Sequence, residues 1–343
     1  MPVRLRPTSA TIAALLAASL LVVALPATRA DAATAAEIAA QLWPEPRLAT
    51  AGPVATDRLV FGSNRDGNFD LYAIDTDGTD LQRLTDQPVF DSWWPKLSPD
   101  RGRLVFYRSP AGVHDSDYGR ASLWSLDLTT GAVTLLLPPG AHGWQVQGHA
   151  EWSPDGTRLA MFGGSAMNPQ VFVTNPDGGD PRQVTNRGGV NVDPSWAPDG
   201  QSLLFVGCPT ATCYANQLEV YRTPVAGGTV TRLTNDTFRD HDPYTSPNGQ
   251  TVAWLRESAA PTRWGIMRMS TNGSGKATVI DDGGVNSKPA WSVDSSTIYF
   301  HRRGPGAGSF ALHSIRPDGS RLTVIPGRAP SLFTDEYPVN SSS

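Results

Sequence analysis

The chain has 343 residues, room for two ordinary domains or for one large repeat array. Hydrophobic residues make up 39% of it and charged residues 17%, which excludes an intrinsically disordered chain. A formal net charge of −4, with no long basic run, argues against nucleic acid as a partner.

Residues 1–32 read as a secretory signal peptide. Arg4 and Arg6 precede an apolar run from Ile12 to Leu25, and Ala30-Asp31-Ala32 follows, placing cleavage between Ala30 and Ala33. The run is shorter than the roughly 20 residues that span a bilayer, so no transmembrane segment is expected after cleavage. The expected location is therefore secreted or periplasmic. Residues 33–55 form an N-terminal segment with a short helix stopped by Pro44 and Pro46. The two cysteines, Cys208 and Cys213, lie close together in "GCPTATCY", and an oxidising compartment predicts a local disulfide between them.

From residue 56 a period takes over. Strand-like runs begin at 58 (RLVFGS), 103 (RLVFYR), 158 (RLAMFG), 202 (SLLFVG), 251 (TVAWLR) and 297 (TIYFHR), spaced by 45, 55, 44, 49 and 46 residues. All but the first follow a variant of one phrase: "KLSPDRG", "EWSPDG", "SWAPDG", "YTSPNG" and "AWSVDSS". Each run is followed by two more strand-like segments, such as "DLYAIDTDG" and then "LQRLTD". Four short strands per unit of about 45 residues predict a propeller blade, whose faces are buried only by stacking on its neighbours. Leu97, Trp152, Trp196 and Trp291 would fill the space between blades, and Pro-Asp-Gly would supply a turn with a positive φ. The first run lacks a phrase before it, whereas "DEYP" near the C-terminus matches the entry of "NVDPSW" and "DHDPYT". The expected fold is all-β, a six-bladed β-propeller of four-stranded antiparallel blades over 56–340, closed by the C-terminal strand.

These motifs, "WSPDG" followed by an apolar strand, then D-x-D-G and R-L-T, resemble the PD40 or TolB-like (WD40-like) β-propeller repeat over roughly residues 56–340. That resemblance implies a periplasmic or secreted binding protein that docks protein partners. There is little room here for the separate N-terminal α/β domain found in TolB.

Strand order puts the uniform Ser-Pro-Asp-Gly and x-Asp-Gly turns on one face of the disc and the variable loops on the other, the usual layout of a binding surface. On the loop face, the residues entering each inner strand are expected to ring the mouth of the central channel: Trp93, Trp94, His149, Asp193, His241, Asp242, Lys288 and, by analogy, Glu336 with Tyr337. Such a ring suits a cation, an acidic ligand or a peptide end. The plainer alternative is that the Asp-Pro pairs only turn the chain into the strand.

Catalytic signatures are absent. No G-x-S-x-G elbow and no H-E-x-x-H occurs, and the acidic runs at 64–70 and 75–80 are explained by turn chemistry before calcium. The leading expectation is a secreted, non-enzymatic propeller without a cofactor that binds a protein, peptide or cell-envelope component through its loop face. The alternative is a propeller lyase or hydrolase acting on an acidic saccharide, with a divalent cation in the channel held by His149 and His241.

Overall fold

The computed structural model describes residues 54–55, 57–208, 210, 217–258, 263–326 and 335–339. Residues 1–32, most of the 33–55 segment and Cys213 lie outside the described residues. Cys208 is buried and disulfide-bonded.

The strands fall in the expected order. The first three are β1 (Arg58–Ser63), β2 (Asp70–Asp75) and β3 (Gln82–Arg83). Next come β4 (Phe90–Leu97), β5 (Arg103–Pro110), β6 (Ser122–Asp127) and β7 (Val133–Leu137). They are followed by β8 (Val146–Trp152), β9 (Leu159–Ser165), β10 (Asn168–Thr174) and β11 (Arg182–Gln183). Another set comprises β12 (Asn191–Trp196), β13 (Ser202–Gly207), β14 (Glu219–Pro224) and β15 (Thr231–Arg232). Then come β16 (Asp240–Thr245), β17 (Thr251–Ser258), β18 (Arg263–Ser270) and β19 (Ala277–Ile280). The last are β20 (Val285–Trp291), β21 (Ile298–Arg303), β22 (Ala311–Ile315), β23 (Thr323–Val324) and, near the C-terminus, β24 (Asp335–Val339).

They build an all-β propeller of antiparallel sheets. Four sheets are four-stranded, in the orders β24-β1-β2-β3, β4-β5-β6-β7, β11-β10-β9-β8 and β12-β13-β14-β15. The expectation of six separate sheets is corrected here, because strands β16 to β23 form one eight-stranded sheet. The cause is a single parallel bridge, Trp264 to Val285, where β18 meets β20. Four of the outermost strands, β3, β11, β15 and β23, are two residues long and leave little edge for another chain to pair with, whereas β7 and β19 have five and four residues.

Inner and second strands are buried on both faces, as in β1, where all six residues are buried. That explains their continuous apolar runs. Each face packs on a neighbouring sheet: Val60, Leu71 and Leu84 meet Leu104, Phe106 and Trp124, and Val171 and Val173 meet Trp196, Leu203 and Phe205. Leu59, Phe61, Tyr72 and Ile74 share a cluster with Leu312 and Ile325 from the opposite end of the chain.

The repeated phrases have specific tasks. In the three phrases that carry one, the tryptophan sends its indole N–H across to the backbone of the preceding inner strand: Trp152 to the Lys96 carbonyl (3.2 Å), Trp196 to that of Glu151 (3.2 Å) and Trp291 to that of Tyr244 (3.1 Å). The serine that follows closes the turn. Ser153 Oγ donates to Asp155 and accepts from the Arg158 N–H, while Gly156 takes φ 69°. In the R-L-T phrase the threonine hydroxyl accepts a backbone N–H from the third strand, as Thr85 does from Leu71, Thr185 from Val171 and Thr234 from Val220.

Trp196→Phe keeps most of the bulk but leaves the Glu151 carbonyl without its donor. A loss of about 2–3 kcal/mol is expected in urea unfolding. An unchanged midpoint would mean the indole bond does not hold the sheets together.

Candidate functional site

Every inner strand carries a β-bulge at the same register position. The pairing slips between Trp93 and Lys96, Gly148 and Glu151, Val192 and Ser195, His241 and Tyr244, and Ser287 and Ala290. Within each bulge one non-glycine residue takes a positive φ: Trp94 (52°), His149 (54°), Asp193 (51°), Asp242 (47°) and Lys288 (52°). A left-handed backbone costs a side-chain-bearing residue roughly 1–2 kcal/mol. Five repeats of that cost at equivalent positions mark a place where the chain is bent to re-aim side chains. Pairing of β24 with β1 slips in the same way between Gly62–Glu336 and Val60–Val339, which puts Tyr337 at the matching register position.

Four of the bulge residues, His149, Asp193, Asp242 and Lys288, line a cavity of about 460 Å³. Its walls are mainly apolar and include Phe162, Val192, Leu218, Leu255, Trp264 and Val285, and its polar groups are Asp115, Tyr118, His149, Asp193, His241, Asp242, Ser287 and Lys288. It sits among the starts of the inner strands and the loops joining second to third strands, the face expected to bind.

The ionic network is dense. Asp193 accepts from both histidines, Oδ1 from His149 Nδ1 at 2.5 Å and Oδ2 from His241 Nδ1 at 2.7 Å. His149 Nε2 lies 3.1 Å from the Tyr118 hydroxyl and 3.4 Å from Asp115 Oδ1, and the Tyr118 hydroxyl donates to Asp115 at 2.5 Å. Lys288 Nζ is 3.2 Å from Asp115 and 3.6 Å from Asp242. The His149 ring stacks on Trp94 with centroids 3.7 Å apart and planes at 5°, and Lys288 Nζ lies 4.6 Å from the same indole.

Electrostatics follow from these contacts. Burial opposes charge on His149, but Asp193 and Asp115 override it and lift its pKa to about 9. Burial alone would raise Asp115 and Asp193; Lys288 and His149 hold the first carboxyl well below its ordinary value, and the two histidines do the same for the second. Burial, reinforced by Asp115, pushes the Tyr118 hydroxyl well above its ordinary value, so it remains a donor. His149 is thus an imidazolium with both nitrogens engaged.

Two residues further along the inner strands a second layer crosses the axis. Lys96 Nζ lies 2.5 Å from Glu151 and donates to the Tyr244 hydroxyl at 2.8 Å, and its ammonium is 5.0 Å from the Trp94 ring.

Of the residues named from sequence, His149, Asp193, His241, Asp242 and Lys288 line the cavity. Trp94 packs behind it against His149. Trp93 is not part of the mouth: it is fully buried in the core, with its indole N–H donating to Ser109 Oγ at 3.0 Å. Adjacent strand residues point to opposite faces, so only one of the two tryptophans can turn inward. Glu336 is placed on β24 opposite Gly62. Asp115 and Tyr118 escaped sequence reasoning because they lie on the long β5–β6 loop, outside the repeat register; the "DSDY" stretch in the longest such loop was the available signal. Trp264, also missed, lies near the start of strand β18 and pairs with Glu257.

His149, Asp193 and Asp242 could each offer one ligand atom, all within 4.8 Å of one another, to a metal ion. The donor set fits poorly, since both nitrogens of His149 already donate and the Lys288 ammonium stands beside Asp242. The acidic run at 75–80 is a turn, in which Asp77 accepts from the Thr79 N–H at 2.9 Å.

The family profile for the TolB beta propeller domain, PD40, matches residues 117–329. An uncharacterised protein of Agrobacterium fabrum is 26% identical over 202 residues, 55% of this chain and 64% of its own length. A TolB homolog of Chlorobium luteolum is 31% identical over 153 residues, 43% of this chain and 31% of its own. The chain thus covers less than two thirds of each of these relatives. TolB of Acinetobacter baumannii superposes with a TM-score of 0.64 at 16% identity, covering 91% of this chain and 71% of that one, a likeness of fold. Among the described residues no helix is long and apolar enough to cross a membrane.

The raised His149 value has a stability consequence. Its folded pKa is above the ordinary 6.5, so its contribution is fully present below about pH 6.5 and is lost as pH rises through about 9. Asp70 and Asp240, each raised to about 6 by burial, titrate below that window. Thermal melts from pH 6.5 to 9.5 should fall more steeply for the unmodified protein than for His149→Gln. Parallel curves would contradict the buried imidazolium.

Proposed function

The chain belongs to the TolB β-propeller (PD40) family, and from that premise we propose that it is an exported, non-enzymatic binding propeller. It takes a peptide segment of a protein or cell-envelope partner into the loop-face cavity, without a resident cofactor. The observation that carries this reading is the cavity itself, about 460 Å³ with apolar walls over a floor of fixed charges. That size and layout suit a recognition pocket, where apolar walls supply affinity and a few polar groups fix orientation. Met167, 84% exposed, adjoins the cavity-lining Ala166 on the β9–β10 hairpin and offers apolar contact at the rim.

The supporting architecture is read as follows. The eight-stranded sheet divides at its one parallel bridge into two blades, giving six in all, and the β24–β1 pairing closes the ring. Residues 1–32 serve as the signal peptide, residues 33–55 as a linker and 56–340 as the propeller, which places the mature protein outside the cytoplasm. Export fits the disulfide at Cys208. The saccharide-lyase alternative needs His149 and His241 as metal ligands or acid–base groups. His149 has both ring nitrogens engaged, by Asp193 and by Tyr118, which disfavours it as a ligand or as an acid–base group.

Two measurements test this. Peptides selected from a display library against the full chain should bind Ala166→Arg, which crowds the mouth, at least tenfold more weakly, with an unchanged melting temperature. Failure to enrich any sequence, or equal binding by the variant, defeats the reading. For ring closure, truncation after residue 331 removes β24 and should lower the melting temperature sharply; an unshifted melt would show that β24 closes nothing.

A further inference from the structure

We infer that the cavity is a cation pocket: it receives a primary ammonium or guanidinium group of the bound peptide, a lysine or arginine tip or a free amino terminus, with Asp242 as the acceptor. This rests on the peptide-binding reading above and names the chemistry of the bound group.

The three carboxylates at the floor are unequally compensated. Asp193 has one imidazole on each oxygen, at 2.5 and 2.7 Å. Asp115 has the Tyr118 hydroxyl at 2.5 Å and Lys288 at 3.2 Å. Asp242 is only 3% exposed, and its Oδ1 has no hydrogen-bond partner. Its other oxygen is 3.6 Å from Lys288, beyond hydrogen-bond reach, and that ammonium sits closer to Asp115. A buried carboxylate oxygen without a donor is costly, and Asp242 is one of the residues lining the cavity, where a turn of its carboxylate would bring that oxygen to a donor on a ligand. An anionic group in the same place would meet three carboxylates against two cations, His149 and Lys288.

The walls fit the same ligand. Val192, Leu255 and Val285 line the same cavity as Asp242 and suit the methylene stem of a lysine or arginine. A metal ion is the poorer occupant, because His149 presents donors on both nitrogens.

The first test needs no variant. n-Butylguanidinium, n-butylammonium and the neutral n-butylurea are titrated into the full chain with a chelator present, and binding is followed by ligand-observed NMR. Both cations should bind and the urea should not; equal binding of all three overturns the proposal. In the second arm, Asp242→Asn should weaken n-butylguanidinium at least tenfold with the fold intact, and an unchanged affinity overturns it. Stoichiometric Mn²⁺ or Zn²⁺ binding by the unmodified chain, lost in Asp242→Asn, would also overturn it in favour of a metal. If Asp242→Asn changes nothing while Ala166→Arg still blocks selected peptides, the cation assignment falls and the peptide reading stands. If Asp242→Asn abolishes cation binding while Ala166→Arg leaves peptides unaffected, the reverse holds.

Discussion

The arrangement depends on one recurring contact, an indole N–H reaching from three of the inner strands to a carbonyl on the preceding inner strand. Trp152, Trp196 and Trp291 each make it, at 3.1–3.2 Å. The bond joins a large apolar surface to a directional donor. The ring fills the wedge between two twisted sheets, and the N–H fixes how far one sheet slides along the next. Two phrases lack tryptophan, at Leu97 and Thr245; at the second, Ser195 Oγ of the preceding inner strand donates to the Pro243 carbonyl. With the inner strands locked in register, their bulges all fall at one height on the axis.

That common height turns strain into a site. A bulge in a single strand would place one side chain on the axis; here equivalent bulges place Trp94, His149, Asp193, Asp242 and Lys288 there together. The left-handed backbone at each is held by the ladder on either side and by the ion pairs among the side chains. Mutual attraction offsets the desolvation of His149, Asp115 and Asp193, because each charge has an opposite one within about 3.4 Å. Asp242 stands outside that balance. Two residues along from this layer, Lys96, Glu151 and Tyr244 form a second polar layer across the axis.

The two faces of the disc differ for a chemical reason. Ser-Pro-Asp-Gly turns are self-contained, as the Ser153–Asp155–Arg158 bonds show, and leave few groups to meet a partner. On the other face the loops differ in length. The longest described one crosses to the axis, where Asp115 and Tyr118 join the ion network that begins on the inner strands.

The repeat architecture was legible in the amino-acid order because it rests on local chemistry: alternating turns, β-branched strands and a tryptophan recurring about every 45 residues. The same register let His149, Asp193, His241, Asp242 and Lys288 be placed near the axis, since equivalent positions in equivalent units must point alike. Which of two adjacent residues turns inward was a tertiary matter. Trp93 and Trp94 differ only in pleat parity and the bulge, and the bulge appears only when the partner strand pairs. The reach of Asp115 and Tyr118 was equally out of view, because a loop without a repeat carries no register. The bridge joining β18 to β20 also needed the folded molecule, since one backbone contact between units leaves no trace in composition or period. Local bonding preferences travel with the residues, whereas the sharing of charge among Asp115, Asp193, Asp242, His149 and Lys288 exists only once sheets far apart in the chain stand around one axis.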